Sequence, residues 1–413
     1  MSTGTNSSNP IVIVGGGLAG AKTAEGLREK GFTGPVTFIA AESVAPYERP
    51  PLSKEFLAST KALPDFTVHD EAWYRDNNID LRLGVRATTL DTAAHSVELD
   101  DGSSVRYSSL VLATGSTSAR PPIPGSDADG VYYLRTVAEA DALLQTFGEG
   151  KRLAIIGGGW IGLEVAAGAR NAGTEVTVVE AADQPLQAAL GTEIGAAFAE
   201  LHRAHGVDLK TNCKVAAITV ADEKATGIKL ENGETIAADA VLVAVGARPE
   251  TAVAENGGLE IVDGGVATDA GLRTSAPDVY AVGDIAAAEH PVLGMRVRTE
   301  HWANALNQPA TAVANILGGN DEYSRMPYFF TDQYDLGMEY RGHTAGETSV
   351  VTRGDVPGRE FLAFWVTSDG IVQAGMNVNI WDAGDDIAAL LAARNPVDPA
   401  KLADSSVPLA DLV

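Results

Sequence analysis

Residues 153–180 constrain this chain more than any other stretch. They open Leu-Ala-Ile-Ile-Gly-Gly-Gly-Trp-Ile-Gly-Leu-Glu-Val-Ala-Ala and close on Val-Thr-Val-Val-Glu. The apolar run 153–156 predicts a buried strand. Gly157, Gly159 and Gly162 then supply a turn, a gap for close backbone approach and a helix–strand contact. Residues 163–170 are helix-forming, and 176–179 predict a second strand ending at Glu180. The helix start offers N–H groups to a pyrophosphate, and the carboxylate at the strand tip accepts from ribose hydroxyls. Glycines at this spacing alone would fit a turn in many α/β domains. Strand, glycines, helix, strand and acid in register specify a dinucleotide site.

The signature occurs twice. Ile11–Val14 reads as a strand, followed by Gly15, Gly17 and Gly20, a helix over 19–30 and a strand over 36–39. Two such sites imply two dinucleotides, or one dinucleotide and a relic.

A length of 413 residues suits about two to four domains. The 45% hydrophobic content and 44 glycines fit a turn-rich α/β protein. A formal charge of −25 argues against a general nucleic-acid or anionic-membrane binder, though not against a local basic patch. Cys213 is the one cysteine, so neither an intrachain disulfide nor a Cys-x-x-Cys redox pair can form. Residues 1–10 are short and polar, and predict a frayed tail. No run of apolar residues is long enough to cross a membrane. The expectation is a cytoplasmic protein.

In chain order, Pro46, Pro50 and Pro51 stiffen a segment that carries Arg49 and Lys54. Those cations either address a phosphate and an electron-rich ring or belong to a solvated proline loop. Residues 110–115 and 239–246 share one pattern, an apolar run and then Ala-x-Gly, which suggests two copies of one fold. Residues 277–285 form a buried strand ending in Gly-Asp without a crossover of its own, so the chain returns to its first domain there. Residues 300–306 and 310–317 have helical spacing. After 325 the texture is aromatic and strand-like, with a helix over 385–394 and a tail expected to lie over the surface. The expected fold class is α/β, with two Rossmann-like dinucleotide-binding domains and a C-terminal α+β domain. Its boundaries are 1–118 with 247–324, then 119–246, then 325–413.

Gly-Gly-Gly-Leu-Ala-Gly, Pro-Tyr-Glu-Arg-Pro-Pro-Leu-Ser-Lys, Ala-Thr-Gly, Gly-Gly-Gly-Trp-Ile-Gly-Leu-Glu, Val-Tyr-Ala-Val-Gly-Asp and Glu-His-Trp-Ala-Asn-Ala follow one another. In this order they resemble the FAD-dependent, NADH-dependent ferredoxin reductases of bacterial oxygenase systems, the putidaredoxin reductase-like group. The resemblance runs from about Ile11 to Asp382. It implies that the first site holds FAD and the second NAD. Gly15, Gly16, Gly17, Leu18, Ala19 and Gly20 would cradle the FAD pyrophosphate, with Ala113, Thr114 and Gly115 closing on it. Arg49 and Lys54 would face its phosphate and isoalloxazine, Val85 its adenine, and Gly283 and Asp284 its ribityl chain. Arg135 would also contact FAD, and Glu300, His301, Trp302 and Ala303 would lie near the flavin. Gly157, Gly159, Trp160, Ile161, Gly162, Val245 and Gly246 would hold NAD, Glu180 its ribose, and Glu164 would lie near the nicotinamide amide. Lys54, Glu164 and Trp302 are the implied catalytic residues. One departure stands out: where an acid is expected after the second strand, the chain reads Ala40-Ala41, with Glu42 next.

The implied activity passes electrons from NADH through FAD to a small 2Fe-2S ferredoxin, which feeds a Rieske dioxygenase or a cytochrome P450. The chain would act as a monomer or homodimer. An NADH-dependent flavin reductase acting on rubredoxin, quinone or peroxide is the alternative, as is a redox-sensing flavoprotein. A peroxidase would want a cysteine in the early part of the first domain, and residues 22–57 have none. Glu180, with no arginine over 181–190, implies NADH over NADPH. Arg296, Arg298 and Arg325 are the cations expected to receive the acceptor. Cys213 and His301 are read as structural, His202 and His205 as a solvated pair in preference to metal ligands, and Trp160 as a pocket wall in preference to core.

Overall fold

A computed structural model describes residues 9–413; the first eight residues of the expected polar tail lie outside them. The chain divides into two compact units. One comprises Met1–Pro50, Ala62–Thr117 and Ala247–Arg325, the other Pro51–Lys61, Ser118–Gly246 and Met326–Val413.

At the centre of the first unit is a parallel sheet ordered Val279–Ala281, Ser109–Leu112, Ile11–Val14, Val36–Ala40, Ile79–Leu83. Ile11 and Ile13 join one buried cluster, Val12 and Val14 another. Both faces are therefore covered, which is why the strand reads as a continuous apolar run. The returning strand Val279–Ala281 pairs with Ser109–Leu112. The two stretches expected at 300–317 are one helix, Trp302–Ile316, which continues through Pro309. It packs on the helix Leu18–Glu29, where a Cβ on Gly26 would meet Val313 at 3.5 Å.

The second unit repeats the scheme. Its parallel sheet runs Asp208–Lys210, Glu175–Val179, Arg152–Ile156, Ala240–Val243, Val131–Tyr132. In both sheets the strand before the glycines is central, and its neighbours are the next strand and the one that ends in Ala-x-Gly. Each copy also carries a three-stranded antiparallel meander. In the second, Asp222 and Glu223 take positive φ of 48° and 65°, the mirror-image turn that matches strand twist.

The same unit contains the antiparallel sheet of Tyr328–Gln333, Leu336–Gly342, Val372–Val378, Glu360–Val366 and Ser349–Asp355, and the helix Gly384–Ala393. The final segment does not merely lie over the surface, as the sequence suggested. Leu402 and Leu409 are buried with Ile387 and Leu390, because the sheet and its helix leave an apolar face that the tail covers.

Candidate functional site

Of the three spaced glycines in the first loop, Gly15 and Gly20 are closed and Gly17 is open. A Cβ on Gly15 would lie 2.1 Å from the Ala113 carbonyl oxygen, and one on Gly20 would lie 2.2 Å from the Gly15 carbonyl oxygen. A Cβ on Gly17 would meet nothing within 4 Å. Gly15 also has φ +125°, which favours glycine. Helix Leu18–Glu29 starts at Gly17 with no side-chain cap and no acid in its first turn. Its first N–H groups therefore face the open position and suit an anion.

The second loop repeats this closely. Gly157 has φ +107° and would clash with the Ala244 carbonyl at 2.4 Å, and Gly162 would clash with the Gly157 carbonyl at 2.2 Å, while Gly159 is open. Helix Trp160–Asn171 likewise starts without a side-chain cap or acid. It begins at Trp160, three residues earlier than the sequence suggested. Ile161 and Val245 remain 41% and 42% exposed, and Val245 Cγ1 is 3.3 Å from the position of a Gly157 Cβ. Each loop is thus a cradle whose floor is packed backbone and whose mouth is bare.

The cradles differ at the acid. Gly15 N–H donates to the Ile39 carbonyl and Gly157 N–H to the Val179 carbonyl, so Ala40 and Glu180 are equivalent positions. Glu180 accepts from the N–H of Gly158 at 2.7 Å and of Ala182 at 2.8 Å. In the first cradle the Ala40 Cβ occupies that space, 2.6 Å from where a Gly16 Cβ would stand. Glu42 accepts instead from Tyr47 Oη at 2.6 Å and Arg49 Nη2 at 2.8 Å. Burial opposes the charge on Arg49, but Tyr47, Glu42 and Asp284 outweigh it and raise the guanidinium above its ordinary value.

Gly283 and Thr114 border this loop, and the remaining first-unit residues are held by partners of their own. Gly283 packs on Ala19, with a Cβ position 3.2 Å from the Ala19 Cβ, and its N–H donates to Gln308 Oε1 at 2.7 Å. Asp284, next in chain, is buried. Thr114 Oγ1 donates to the Glu250 carbonyl at 2.7 Å, and the Gly115 carbonyl accepts from Glu250 N–H. Val85 N–H donates to the Ala40 carbonyl. Trp302 and Ala303 open the helix that His301 caps, and Trp302 Nε1 donates to Glu48 Oε2 at 3.1 Å. Glu300 pairs with Arg298 at 2.7 Å.

In the second unit, Lys54 and Glu164 meet directly. Lys54 Nζ is 2.9 Å from Glu164 Oε2 and lies over the Phe330 ring at 5.4 Å. Ser53 Oγ also donates to Glu164, as does Thr331 Oγ1 at 2.5 Å. Burial raises the Asp332 carboxyl pKa; Lys54 opposes that, while Glu164 and Glu55 add to it. The Trp160 ring stands edge-on to Phe198 and Phe329 among buried side chains. Arg135 donates its N–H to Glu139, which caps the helix Val137–Leu144. Gly246 has φ +112°, and a Cβ there would meet nothing within 4 Å.

Two expectations need correction. His202 is fully buried rather than solvated, because Gln333 from a distant strand reaches its ring. Arg296 and Arg298 are not available cations: Arg296 donates to the Thr268 and Ala287 carbonyls, and Arg298 to the Asp263 carbonyl and Glu300. Arg325 is exposed. Cys213 N–H donates to the Glu180 carbonyl, and the side chain packs on the core. Sequence reasoning did not single out Ser53, Glu48, Thr331 or Gln333 as site residues. Ser53 and Glu48 belong to the motif that carries Lys54, whereas Thr331 and Gln333 had no signal beyond the aromatic, strand-like texture after 325.

Residues 9–309 match the pyridine nucleotide-disulphide oxidoreductase family, and residues 328–413 match the reductase C-terminal family. The ferredoxin–NAD(+) reductase component of the anthranilate 1,2-dioxygenase system of Burkholderia cepacia is 41% identical over 407 residues, covering 98% of this chain and 99% of the relative. Rhodocoxin reductase of Rhodococcus erythropolis is 37% identical over 401 residues, covering 97% and 93%. Putidaredoxin reductase, solved in covalent complex with putidaredoxin, matches with a TM-score of 0.93 at 32% identity over 98% of both chains. Among the described residues no helix is long and apolar enough to cross a membrane. With two bare-mouthed cradles on one repeated fold and these relatives along its length, the chain belongs to the pyridine nucleotide-disulphide oxidoreductase family, among the FAD- and NAD-dependent ferredoxin reductases.

Proposed function

We propose that this protein oxidises NADH and passes the electrons to a 2Fe-2S ferredoxin that serves a Rieske dioxygenase or a cytochrome P450 in the cytoplasm. The observation that carries the reading is the repeated cradle, closed at Gly15 and Gly20 and open at Gly17, then closed at Gly157 and Gly162 and open at Gly159. It supports two dinucleotides bound by one chain, with no relic.

In this reading Gly15–Gly20, Glu42, Arg49, Val85, Ala113–Gly115, Arg135, Gly283, Asp284 and Glu300–Ala303 hold FAD, and Gly157–Gly162, Glu180, Val245 and Gly246 hold NAD. The reading assigns the flavin domain to 1–118 with 247–324, the NAD domain to 119–246 and the C-terminal domain to 325–413, although Pro51–Lys61 clusters with the second compact unit. The flavin, when bound, supplies the conversion from a two-electron donor to single-electron delivery. The chain supplies position and charge. Lys54 places an ammonium group, oriented by Glu164, where negative charge develops on reduction. Glu164 has its lone pairs shared among Ser53, Lys54 and Thr331, which fixes its angle toward a carboxamide. Trp302, tethered to Glu48, lines the side from which electrons leave. Cys213 is the only cysteine and sits beside the Glu180 loop, which disfavours a cysteine-based peroxidase.

The test is an anaerobic titration of FAD-loaded protein with NADH, followed by turnover with a 2Fe-2S ferredoxin, a quinone or peroxide. Stoichiometric bleaching and turnover at least about tenfold faster with the ferredoxin are expected. Faster turnover with quinone or peroxide would overturn the acceptor.

A further inference from the structure

Behind Glu164 lies a line of buried polar side chains that dinucleotide binding does not by itself require. Thr331 Oγ1 is 2.5 Å from Glu164 Oε1, Gln333 Nε2 is 3.1 Å from Thr331 Oγ1, and His202 Nε2 is 2.8 Å from Gln333 Oε1. Thr331 and His202 are 0% exposed and Gln333 is 1%. Polar groups this deep are costly unless paired, so the pairing has to be complete along the line.

The donors can have only one order. A carboxylate accepts and never donates, so the single Thr331 hydroxyl proton goes to Glu164. The Thr331 oxygen then accepts from the Gln333 amide NH₂, which leaves Gln333 Oε1 as an acceptor. His202 must therefore carry its proton on Nε2, an assignment made from the bonding pattern. Its Nδ1 is buried with no hydrogen-bond partner among the described residues, so the line ends there. Every proton in it points toward Glu164.

The next residue clamps the strand end. Tyr334 has φ +56°, a conformation that bulky residues rarely adopt. Its ring stacks on His205 at 3.7 Å and stands edge-on to His202 at 5.3 Å. Strain of this kind persists only where the surroundings over-determine it.

We propose that Gln333, backed by His202, is a positioning residue that commits the Thr331 hydroxyl proton to Glu164 and so fixes the angle at which that carboxylate stands. Without Gln333 the hydroxyl is free to turn away, and Glu164 keeps only Ser53 and Lys54. The functional consequence rests on the reading of Glu164 as a nicotinamide contact; the placement does not.

The test compares FAD-loaded parent, Gln333→Leu, Thr331→Val, their double variant, Thr331→Ser and Glu164→Gln. NAD(+) affinity is measured by calorimetry, and stability by thermal unfolding. Gln333→Leu and Thr331→Val should each weaken NAD(+) binding about three- to tenfold, the range for one lost hydrogen bond. Thr331→Ser should stay within about twofold of parent, and the double variant within about twofold of Thr331→Val. Losses that multiply in the double variant would overturn the proposal, as would Gln333→Leu binding NAD(+) normally when Glu164→Gln does not. If Glu164→Gln also binds normally, the nicotinamide reading fails and unfolding decides. A midpoint lowered by Gln333→Leu in the parent but not further in Thr331→Val upholds the positioning role; equal lowering in both overturns it.

Discussion

Lys54 Nζ stands 2.9 Å from Glu164 Oε2, and the two side chains keep only 12% and 4% of their surface. The sequence suggests separate duties for them, one toward the flavin and one toward the nicotinamide. In the fold they are one ion pair, so neither can be altered without changing the charge the other feels.

Lys54→Met should slow flavin reduction by about ten- to a thousandfold, the range for one electrostatic contact, with FAD still bound. Because the lysine also balances a buried carboxylate, the substitution should lower stability by about 3 kcal/mol. Adding Glu164→Gln, which removes the unbalanced charge and keeps an acceptor for the buried hydroxyls, should restore most of that stability while reduction stays slow. Stopped-flow absorbance and urea unfolding separate the two effects. An unchanged single-turnover rate would mean that the lysine only supports the fold.

The glycines make a sharper pair. Gly17→Ala adds a methyl group where nothing stands within 4 Å, whereas Gly20→Ala drives one to 2.2 Å from the Gly15 carbonyl and 2.8 Å from the Phe38 ring. Gly17→Ala should therefore keep the parent's unfolding midpoint without added flavin and lose FAD content, while Gly20→Ala should lose folded protein. Gly159→Ala and Gly162→Ala should divide NAD(+) affinity and stability in the same way. Full FAD retention in Gly17→Ala would show that the open position does not face the pyrophosphate.

What was legible follows from how local each signal is. Strand Ile11–Val14 needs only its own apolar run and the glycine after it. The strand-like texture after 325 does not by itself bound strand Leu336–Gly342, which has glycines at its second and last positions, although Leu336, Met338 and Tyr340 are buried. A Cβ on Gly337 would stand 2.4 Å from the Trp381 ring, and Gly342 takes φ +107°. Neither feature can be read locally. The individual site residues lie in recognisable motifs, but their pairing is long-range: Glu48 with Trp302, Lys54 with Glu164, His202 with Gln333. The solvated reading of His202 failed for that reason.

Glu180 should make the enzyme prefer NADH over NADPH by at least about tenfold in kcat/KM, about 1.4 kcal/mol, since a 2′-phosphate would meet its carboxylate. Its bonds to Gly158 and Ala182 add a second effect. Glu180→Ala should weaken NADH binding as well as narrow the preference, because the loop loses an acceptor. Glu180→Gln, which keeps an acceptor, should narrow the preference with less loss of binding. Equal efficiency of the parent with both cofactors would refute the assignment.

Of the three cations considered for docking, Arg325 is the usable probe. Arg296 and Arg298 are tied to backbone carbonyls, so reversing them should disturb the fold. Arg325→Glu should raise KM for ferredoxin and leave NADH-driven ferricyanide reduction unchanged. The parent's KM should itself rise with salt, since exposed pairs are screened over about 8 Å. A parallel fall in both activities would place Arg325 in the structural framework, and no change would place the acceptor elsewhere.

His202 should leave a mark on acid stability. Burial lowers its pKa from 6.5 to about 4, with the hydrogen bond to Gln333 opposing and His205 adding to the lowering. Between those values the unfolded chain takes up a proton that the native chain refuses. The unfolded state then binds more protons, so stability rises with pH across this window. The contribution is complete above about pH 6.5 and is lost as pH falls toward 4, reaching on the order of 3 kcal/mol. His202→Gln removes the titration while keeping a polar group beside Gln333. The stability difference between parent and variant, measured by urea unfolding, should be flat above pH 6.5 and shift in the variant's favour below it. Curves that stay parallel from pH 7 to 4 would mean that His202 takes up its proton in the native protein as readily as in the unfolded chain, and that burial does not suppress its charge.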